Sequence, residues 1–395
     1  MSAAAHAQTV KIAFIDPLSG LMAPLAANQL HSWQYVAQVA NEKNWAGGPK
    51  FEVIGFDNKL SPQETTNVLK QVIDQGIRYV VQGNGSGAAN ALLDAISKYN
   101  ERNPGKEILY LNYAAVDPDF TNAKCMYWHF RLDAHSDMKM EALTTYLAKQ
   151  KDVKKVYLLN QNYQFGHQVA RAAKEYLARK RPDIQIVGED LHPLAQVKDF
   201  SPYVAKIKAS GADTVITGNW GSDMALLIKA AKEANLAANF YTYYAGTTGV
   251  PTAMGSAGEG RVKVVGYWNP NSSKVTGQDI VEGYKKKYND DYYTMATYTG
   301  IAMLAKAFKE TKSIEPVAVA KAMEGMTLKS LNGEVTMRKE DHQLLQPLLI
   351  NTWTKRDGKL VKYDQENTGY DFKEDEFLPA YIATQPTSCQ MKRPG

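Results

Sequence analysis

Short apolar runs alternate with amphipathic stretches from residue 10 onwards, and this alternation constrains the fold more than any other feature. In the first part of the chain we predict strands at residues 10–15, 51–56, 79–81 and 108–111, and helices at 27–41, 65–75 and 88–99. The segment Ser61-Pro62-Gln63-Glu64 places a cap and a proline before the second of these helices. Strands that alternate with helices in this way indicate parallel βαβ units.

A second series of the same kind begins near residue 156. Its predicted strands are 156–159, 184–187, 214–217, 240–242 and 262–267, its predicted helices are 166–180, 203–210, 223–234, 279–289 and 297–310, and the tail becomes strand-like around 348–353. A chain of 395 residues is also long for a single core. We therefore predict an α/β protein with two doubly wound parallel-sheet lobes and several chain crossings between them.

Charge and hydrophobicity exclude two kinds of protein. The formal net charge of +5 is spread along the chain, and Lys285–Lys287 has the pattern of a solvated helix face, so we predict no nucleic-acid binding. No apolar run in the sequence approaches the roughly 18–20 residues that a membrane span needs, so we predict no membrane-spanning helix.

The first residues resemble the end of a signal peptide. Ala5-x-Ala7 is the expected cleavage site, and the charged and apolar regions of a signal peptide are missing before it. We expect an exported, periplasmic protein whose signal peptide has been trimmed; the alternative is the remnant of a tag. In an oxidising compartment Cys125 and Cys389 would form a disulfide, and the alternative is two unpaired buried thiols.

A glycine-rich turn follows the third predicted strand and opens a helix, at Gly83-Asn84-Gly85-Ser86-Gly87-Ala88. Backbone N–H groups at a helix N-terminus bind anions, and the Ser86 hydroxyl adds a donor, so we predict a small carboxylate site here. The spacing also satisfies a dinucleotide-binding fingerprint, but it follows the third strand instead of the first and lacks a convincing acid about 20 residues later. A turn without function is the third interpretation.

Several large aromatic residues lie in loops that follow predicted strands: Trp220, Tyr243, Tyr244, Tyr267 and Trp268. In doubly wound sheets these loops face the ligand crevice, where aromatic rings can enclose an apolar ligand. The alternative is packing within the core or between the lobes.

Catalytic motifs are scarce in this sequence. The seven histidines show no HxH or HExxH spacing, and two cysteines do not suggest a structural zinc site. No nucleophile elbow and no P-loop occur. We predict a protein that is not an enzyme, with no catalytic residues, no metal and no cofactor.

The sequence resembles the periplasmic solute-binding proteins of branched-chain amino-acid-type ABC transporters, which have type I periplasmic-binding-protein topology. The resemblance runs over nearly the whole chain, and the order and spacing of its motifs carry it: VKIAF at 10–14 and PLSG at 17–20, YVVQGNGS at 79–86, NQNYQFG at 160–166, KDFSP at 198–202 and GAD at 211–213. It implies two lobes joined by a multi-strand hinge. The implied bounds are residues 9–131 and 268–332 for lobe 1, 132–267 and 333–380 for lobe 2, and 381–395 for a C-terminal tail that returns to lobe 1.

The resemblance also implies the ligand site. In this family the carboxylate of the ligand lies between the serine of the third βα turn, here Ser86, and the loop after the next strand, here residues 113–116. The expected ligand-binding residues are Leu25, Gly85, Ser86, Gly87, Ala114, Val116, Phe165, Trp220, Tyr243, Tyr244 and Met295.

Two departures from the amino-acid binders bear on the ligand. Val116 stands where they commonly have threonine, and no Asp or Glu lies between Asn235 and Gly258, where they place an acid against the ammonium group. An ammonium group buried without a counter-charge is costly. We therefore expect an aromatic or other apolar carboxylate, as in the family members that bind aromatic acids.

The predicted function is capture of this ligand by lobe closure, followed by delivery to a membrane ABC permease. We expect the protein to act as a monomer. The alternatives are a binder of leucine, isoleucine and valine, or a sensor or enzyme that uses the same fold.

Overall fold

The computed structural model describes residues 8–394. The expected cleavage site at Ala5-x-Ala7 lies outside the described residues. Within residues 8–394, no helix is both long enough and apolar enough to cross a membrane. The fold is α/β, as predicted, and each of its two lobes is built on its own sheet.

The first lobe contains a five-stranded parallel sheet with the strand order β2-β1-β3-β4-β5. Its elements in chain order are β1 (Thr9–Asp16), α1 (Ala23–Glu42), β2 (Lys50–Asp57), α2 (Pro62–Asp74), β3 (Tyr79–Gln82), α3 (Ser86–Arg102), β4 (Leu109–Asn112) and β5 (His129–Arg131). The strand order reverses between β1 and β3, so the loops after these two strands open a crevice at the carboxyl edge of the sheet.

The second lobe begins with helix α4 (Ser136–Leu147). It continues with β6 (Lys155–Gln161), α5 (Gln164–Lys180), β7 (Gln185–His192), α6 (Ser201–Ser210), β8 (Thr214–Thr217), α7 (Gly221–Glu233), β9 (Asn239–Thr242), α8 (Val250–Met254) and β10 (Val262–Gly266). Strand β6 pairs in parallel with β7 on one side and with β8 on the other. The order therefore reverses here too, and the loops after β6 and β8 open a second crevice.

Helices cover both faces of the second sheet, which explains why its strands are nearly continuous apolar runs. Along β6, Val156 and Leu158 belong to one apolar cluster, whereas Tyr157 and Leu159 belong to another. Successive side chains of a strand point to opposite faces, so both faces of this sheet are buried.

The chain then returns to the first lobe. It forms α9 (Gln278–Tyr288), α10 (Ala296–Thr311) and α11 (Pro316–Met323), followed by a small antiparallel sheet of β11 (Thr327–Ser330), β12 (Gly333–Met337) and β13 (Leu344–Leu345). We expected lobe 2 to resume at residue 333, and the structure contradicts that boundary. Because β12 pairs with β11, Val335, Met337 and Leu344 pack in the core of the first lobe.

The last crossing between the lobes follows β13. Strands β14 (Leu348–Lys355) and β15 (Tyr370–Leu378) extend the second sheet in antiparallel fashion, which gives it the order β15-β14-β10-β9-β8-β6-β7. The crossing segments are hydrogen-bonded to one another. Gln346 Nε2 donates to the Leu132 carbonyl at 2.8 Å, and Asn332 Nδ2 donates to the Tyr267 carbonyl at 2.9 Å.

The C-terminal tail follows a short helix, α12 (Ala380–Ala383), and touches both lobes. Ala383 packs in a cluster of the second lobe, whereas Thr387 Oγ1 donates to the Thr121 carbonyl in the first lobe at 2.7 Å. The predicted disulfide is present and joins Cys389 of the tail to Cys125. The tail is thereby fixed to the first lobe.

Candidate ligand-binding site

Two adjoining cavities lie between the lobes, where the crevices of the two sheets face each other. The smaller has a volume of about 30 Å³ and the larger about 120 Å³. They share four wall residues: Gln29, Ala114, Tyr244 and Thr247. A water molecule needs about 10–15 Å³ on this measure, so the larger cavity has room for a small organic group.

The start of helix α3 forms one wall of the smaller cavity. Gly85 has a φ of +87°, a conformation that favours glycine, and it precedes the first helical residue, Ser86. Ser86 is only 2% exposed, and it lines the smaller cavity. The first N–H groups of a helix have no acceptor within the helix. The cavity wall therefore offers a hydroxyl and backbone donors, which suits an anion.

A buried carboxyl group holds this turn in place, and sequence reasoning overlooked it. Asp16, at the end of β1, accepts hydrogen bonds from the backbone N–H groups of Gly83 and Asn84 at 3.1 and 2.8 Å and from the Tyr113 hydroxyl at 2.6 Å. Burial raises the pKa of Asp16 to about 7, although these hydrogen bonds oppose the shift. An acid at the carboxyl end of the first strand was the feature that could have identified it.

Aromatic side chains of the second lobe form the opposite wall. Phe165 lies in the first turn of α5, and Trp220 directly precedes α7. Trp220 Nε1 donates to the hydroxyl of Tyr163 at 2.9 Å, which orients the indole ring. Tyr244 completes the wall and continues into the larger cavity. Sequence reasoning did not select Tyr163, whose position after β6 indicated the same crevice.

The remaining expected residues divide into two groups. Leu25, Ala114 and Val116 line the smaller cavity with Gly85 and Ser86. Three expected residues do not line the smaller cavity: Gly87, Tyr243 and Met295. Gly87 faces Pro62, and Tyr243 lines the larger cavity, where its hydroxyl donates to the Ser136 carbonyl. Met295 is fully buried in the core of lobe 1, just before α10. Met295 lies outside the site because its side chain packs inward from the start of that helix.

An ion pair lines the larger cavity, and sequence reasoning missed it. Lys139, in the first turn of α4, donates to Asp133 Oδ2 at 2.8 Å, and both side chains are 2% exposed. The Lys139 ammonium also lies 4.6 Å from the ring centre of Tyr244 and 5.7 Å from that of Tyr267. Burial raises the pKa of Asp133, and the charge of Lys139 opposes that shift. Tyr267 and Trp268, which were selected from the sequence, also line this cavity.

The lobes are closed on each other around these cavities. Ser222 Oγ of the second lobe donates to the Leu21 carbonyl of the first at 2.8 Å, and the hydroxyls of Thr248 and Tyr293 lie 2.6 Å apart. Met22 and Leu25 of the first lobe pack in the same apolar cluster as Trp220. The cavities are thus enclosed by both lobes at once.

These features define a two-lobed α/β binding protein that encloses a small molecule between its lobes. Among residues 8–394, no group of three or more His, Cys, Asp or Glu side chains is placed to hold a metal ion. Residues 9–359 match the family described as periplasmic binding protein, and the chain belongs to this family.

The relatives agree with this assignment over the whole chain. The Leu/Ile/Val-binding protein homolog 4 of Brucella abortus (strain 2308) is 31% identical over 404 residues, which cover 100% of this chain and 95% of that protein. The leucine-, isoleucine-, valine-, threonine- and alanine-binding protein of Brucella ovis, in its closed conformation, has a TM-score of 0.84 at 30% identity and covers 98% of this chain and 100% of its own. A solute-binding protein from R. palustris, solved with 4-hydroxybenzoate, has a TM-score of 0.79 at 19% identity and covers 94% of this chain and 98% of its own.

Proposed function

We propose that this protein is a monomeric, periplasmic solute-binding protein that captures an aromatic or other apolar carboxylate and delivers it unaltered to an ABC permease. One observation carries the proposal. Ser86 and the N-terminus of α3 line the smaller cavity together with the aromatic wall of Phe165, Trp220 and Tyr244. An anion-binding wall opposite an aromatic wall suits a carboxylate on a flat or apolar body.

The acidic residues near the site favour this ligand over a free amino acid. Among the residues that the structure describes, no Asp or Glu lines the smaller cavity. Asp133 and Asp371 line the larger one. Asp133 is paired with Lys139, and burial raises the pKa of Asp371 to about 7, so neither supplies a full free charge to an ammonium group at neutral pH. A buried ammonium group would therefore lack a counter-charge.

The second candidate ligand class is the branched-chain amino acids. The names of the two relatives near 30% identity favour it. The R. palustris protein shows that the same fold also holds 4-hydroxybenzoate. The two candidates differ in the charge that the ligand brings beside the carboxylate, so they can be separated directly.

A thermal-shift panel tests the proposal. Benzoate, phenylacetate and 4-hydroxybenzoate are compared with leucine, isoleucine and valine at equal concentrations. A ligand at about 100 times its dissociation constant adds roughly 2.7 kcal/mol to the free energy of unfolding. We expect at least one aromatic acid to raise the melting temperature more than any of the three amino acids. A panel in which leucine stabilises and the aromatic acids do not would overturn the proposal.

Incubation with the stabilising ligand separates binding from catalysis. Mass spectrometry of the recovered ligand should show an unchanged mass after prolonged incubation. Conversion of the ligand at a rate proportional to protein concentration would contradict a transport role.

A further inference from the structure

The Lys139–Asp133 ion pair is buried between the lobes, where charged side chains need partners. Both side chains are withdrawn from solvent, and burying two charges gains little stability unless their remaining polar atoms are satisfied. Those atoms are not satisfied within the described residues. Asp133 Oδ1 is buried without a hydrogen-bond partner, and the Tyr244 hydroxyl beside the pair is unpartnered as well.

The two residues of this pair lie in the wall of a cavity that joins the carboxylate site. Lys139, Asp133 and Tyr244 all line the larger cavity, and Tyr244 lines both. An ammonium group has three donors, and Lys139 uses one of them on Asp133 Oδ2. The wall of this cavity thus contains an unpartnered acceptor, Asp133 Oδ1, and an ammonium group with further donors.

We propose that the Lys139–Asp133 pair is a second polar subsite, which binds a hydroxyl group at the end of the ligand opposite its carboxylate. The inference rests on the proposed function and specifies its substrate class as hydroxylated aromatic acids. The hydroxyl donates to Asp133 Oδ1 and accepts from the Lys139 ammonium.

The charge of the subsite determines which group fits. Lys139 and Asp133 neutralise each other, so a charged ligand group would be buried beside a neutral pair without compensation. A second carboxylate would also leave Asp133 Oδ1 without a donor. A hydroxyl both donates and accepts, and therefore satisfies both partners without adding charge. The rings of Tyr244 and Tyr267 beside the ammonium accommodate an aromatic body next to the subsite.

Matched pairs of acids test the inference with the native protein. The pairs are benzoate and 4-hydroxybenzoate, phenylacetate and 4-hydroxyphenylacetate, and 3-phenylpropanoate and 3-(4-hydroxyphenyl)propanoate, so that the distance from carboxylate to hydroxyl increases stepwise. A hydrogen bond to a charged group changes affinity by about ten- to hundred-fold. By calorimetric titration we expect the hydroxylated member of at least one pair to bind at least ten-fold more tightly than its parent.

A double variant assigns that preference to the pair. Lys139→Met together with Asp133→Leu replaces both charges with apolar side chains, which avoids leaving one charge buried alone. The ratio of the two dissociation constants should fall to within about two-fold. Ser136→Ala is the matched control, because it removes a buried, unpartnered hydroxyl from the first turn of the same helix at a residue that lines neither cavity; it should keep the preference.

The outcomes separate this inference from the proposed function. Parent acids that bind as tightly as their hydroxylated partners at every length would overturn the inference and leave the carboxylate site standing. Preference retained in the double variant would make the ion pair a purely structural element of the hinge. Binding of leucine with no binding of any aromatic acid would overturn the proposed function and the inference with it.

Discussion

Replacing Ser86 with alanine separates a ligand-binding hydroxyl from a helix cap. Ser86 is the first residue of α3, but Gly85 occupies the capping position, and no side chain caps this helix. Ser86 takes no part in capping the helix, and it lines the smaller cavity. Its loss should therefore affect the ligand and spare the fold.

The magnitude follows from the charge of the ligand. A hydrogen bond to a charged group contributes about 1.5–3 kcal/mol, and each 1.4 kcal/mol corresponds to a factor of ten in affinity. Ser86→Ala should weaken carboxylate binding by about ten- to hundred-fold in calorimetric titration with the acid that gives the largest thermal shift. The free energy of unfolding without ligand should change by no more than about 0.5 kcal/mol, measured by urea denaturation.

Ser61 supplies the matched control. It caps α2, where its hydroxyl accepts from the backbone N–H of Glu64 at 3.3 Å. Ser61→Ala should lower the free energy of unfolding by about 1 kcal/mol and leave affinity unchanged. If Ser86→Ala instead behaves like Ser61→Ala, with lowered stability and unaltered affinity, the carboxylate lies elsewhere.

Three further predictions concern the tail, the buried acids and closure. Replacing both cysteines with serine should lower the free energy of unfolding by up to roughly 5 kcal/mol, because the disulfide closes a loop with a sequence separation of 264. Equal urea midpoints for the variant and the native protein would contradict this prediction. Burial raises the pKa of Asp16 and of Asp371 from 3.8 to about 7, so the folded protein keeps protons that the unfolded chain releases. The free energy of unfolding that these two groups contribute below pH 4 should therefore be lost as the pH rises to 7. Asp371→Asn should flatten this dependence in urea melts at pH 5 and 7.5, and an unchanged dependence would refute the prediction. Gly221→Ala should lower stability, because Gly221 has a φ of +56°, and should also weaken ligand binding, because its Cβ would lie 2.5 Å from Met22 Sδ of the other lobe. Met22→Ala added to it should restore part of the affinity but not the stability, and the absence of any rescue of affinity would exclude this contact as the cause.

Local patterns predicted most of the fold because the strands of a doubly wound sheet are buried on both faces. Runs such as residues 156–159 and 214–217 stand out as continuous apolar segments, and the structure places strands at both. Helix α4 escaped prediction because it is amphipathic only weakly and buries Lys139 and Thr144 along with apolar residues. The late crossing was predicted at residue 333 and lies instead after β13, since the pairing of β12 with β11 depends on a contact that periodicity does not encode.

The site was predictable where it is made of loops at strand ends. Ser86, Trp220 and Tyr244 follow or flank such ends, and the order of the strands brings them to one crevice. Phe165 was expected only from the resemblance to the family. Lys139 could not be found in this way, because a lysine in the first turn of an unrecognised helix resembles a solvated surface residue. Its burial depends on Asp133, which comes from the crossing segment between the lobes, and only the folded chain places the two together.

The closed arrangement leaves polar groups of the candidate site without partners. Asp133 Oδ1 and the Tyr244 hydroxyl are withdrawn from solvent and have no hydrogen-bond partner within residues 8–394, and Ser86 lines the adjoining cavity. Each unpaired buried polar group costs about 1–3 kcal/mol relative to its hydrated form in an open cleft. Closure without a ligand is therefore opposed at several points, whereas a carboxylate at one end and a hydroxyl at the other would satisfy these groups together. A ligand shifts the equilibrium only by its differential affinity for the closed state. The polar groups proposed to select the ligand would then also favour closure once the ligand satisfies them.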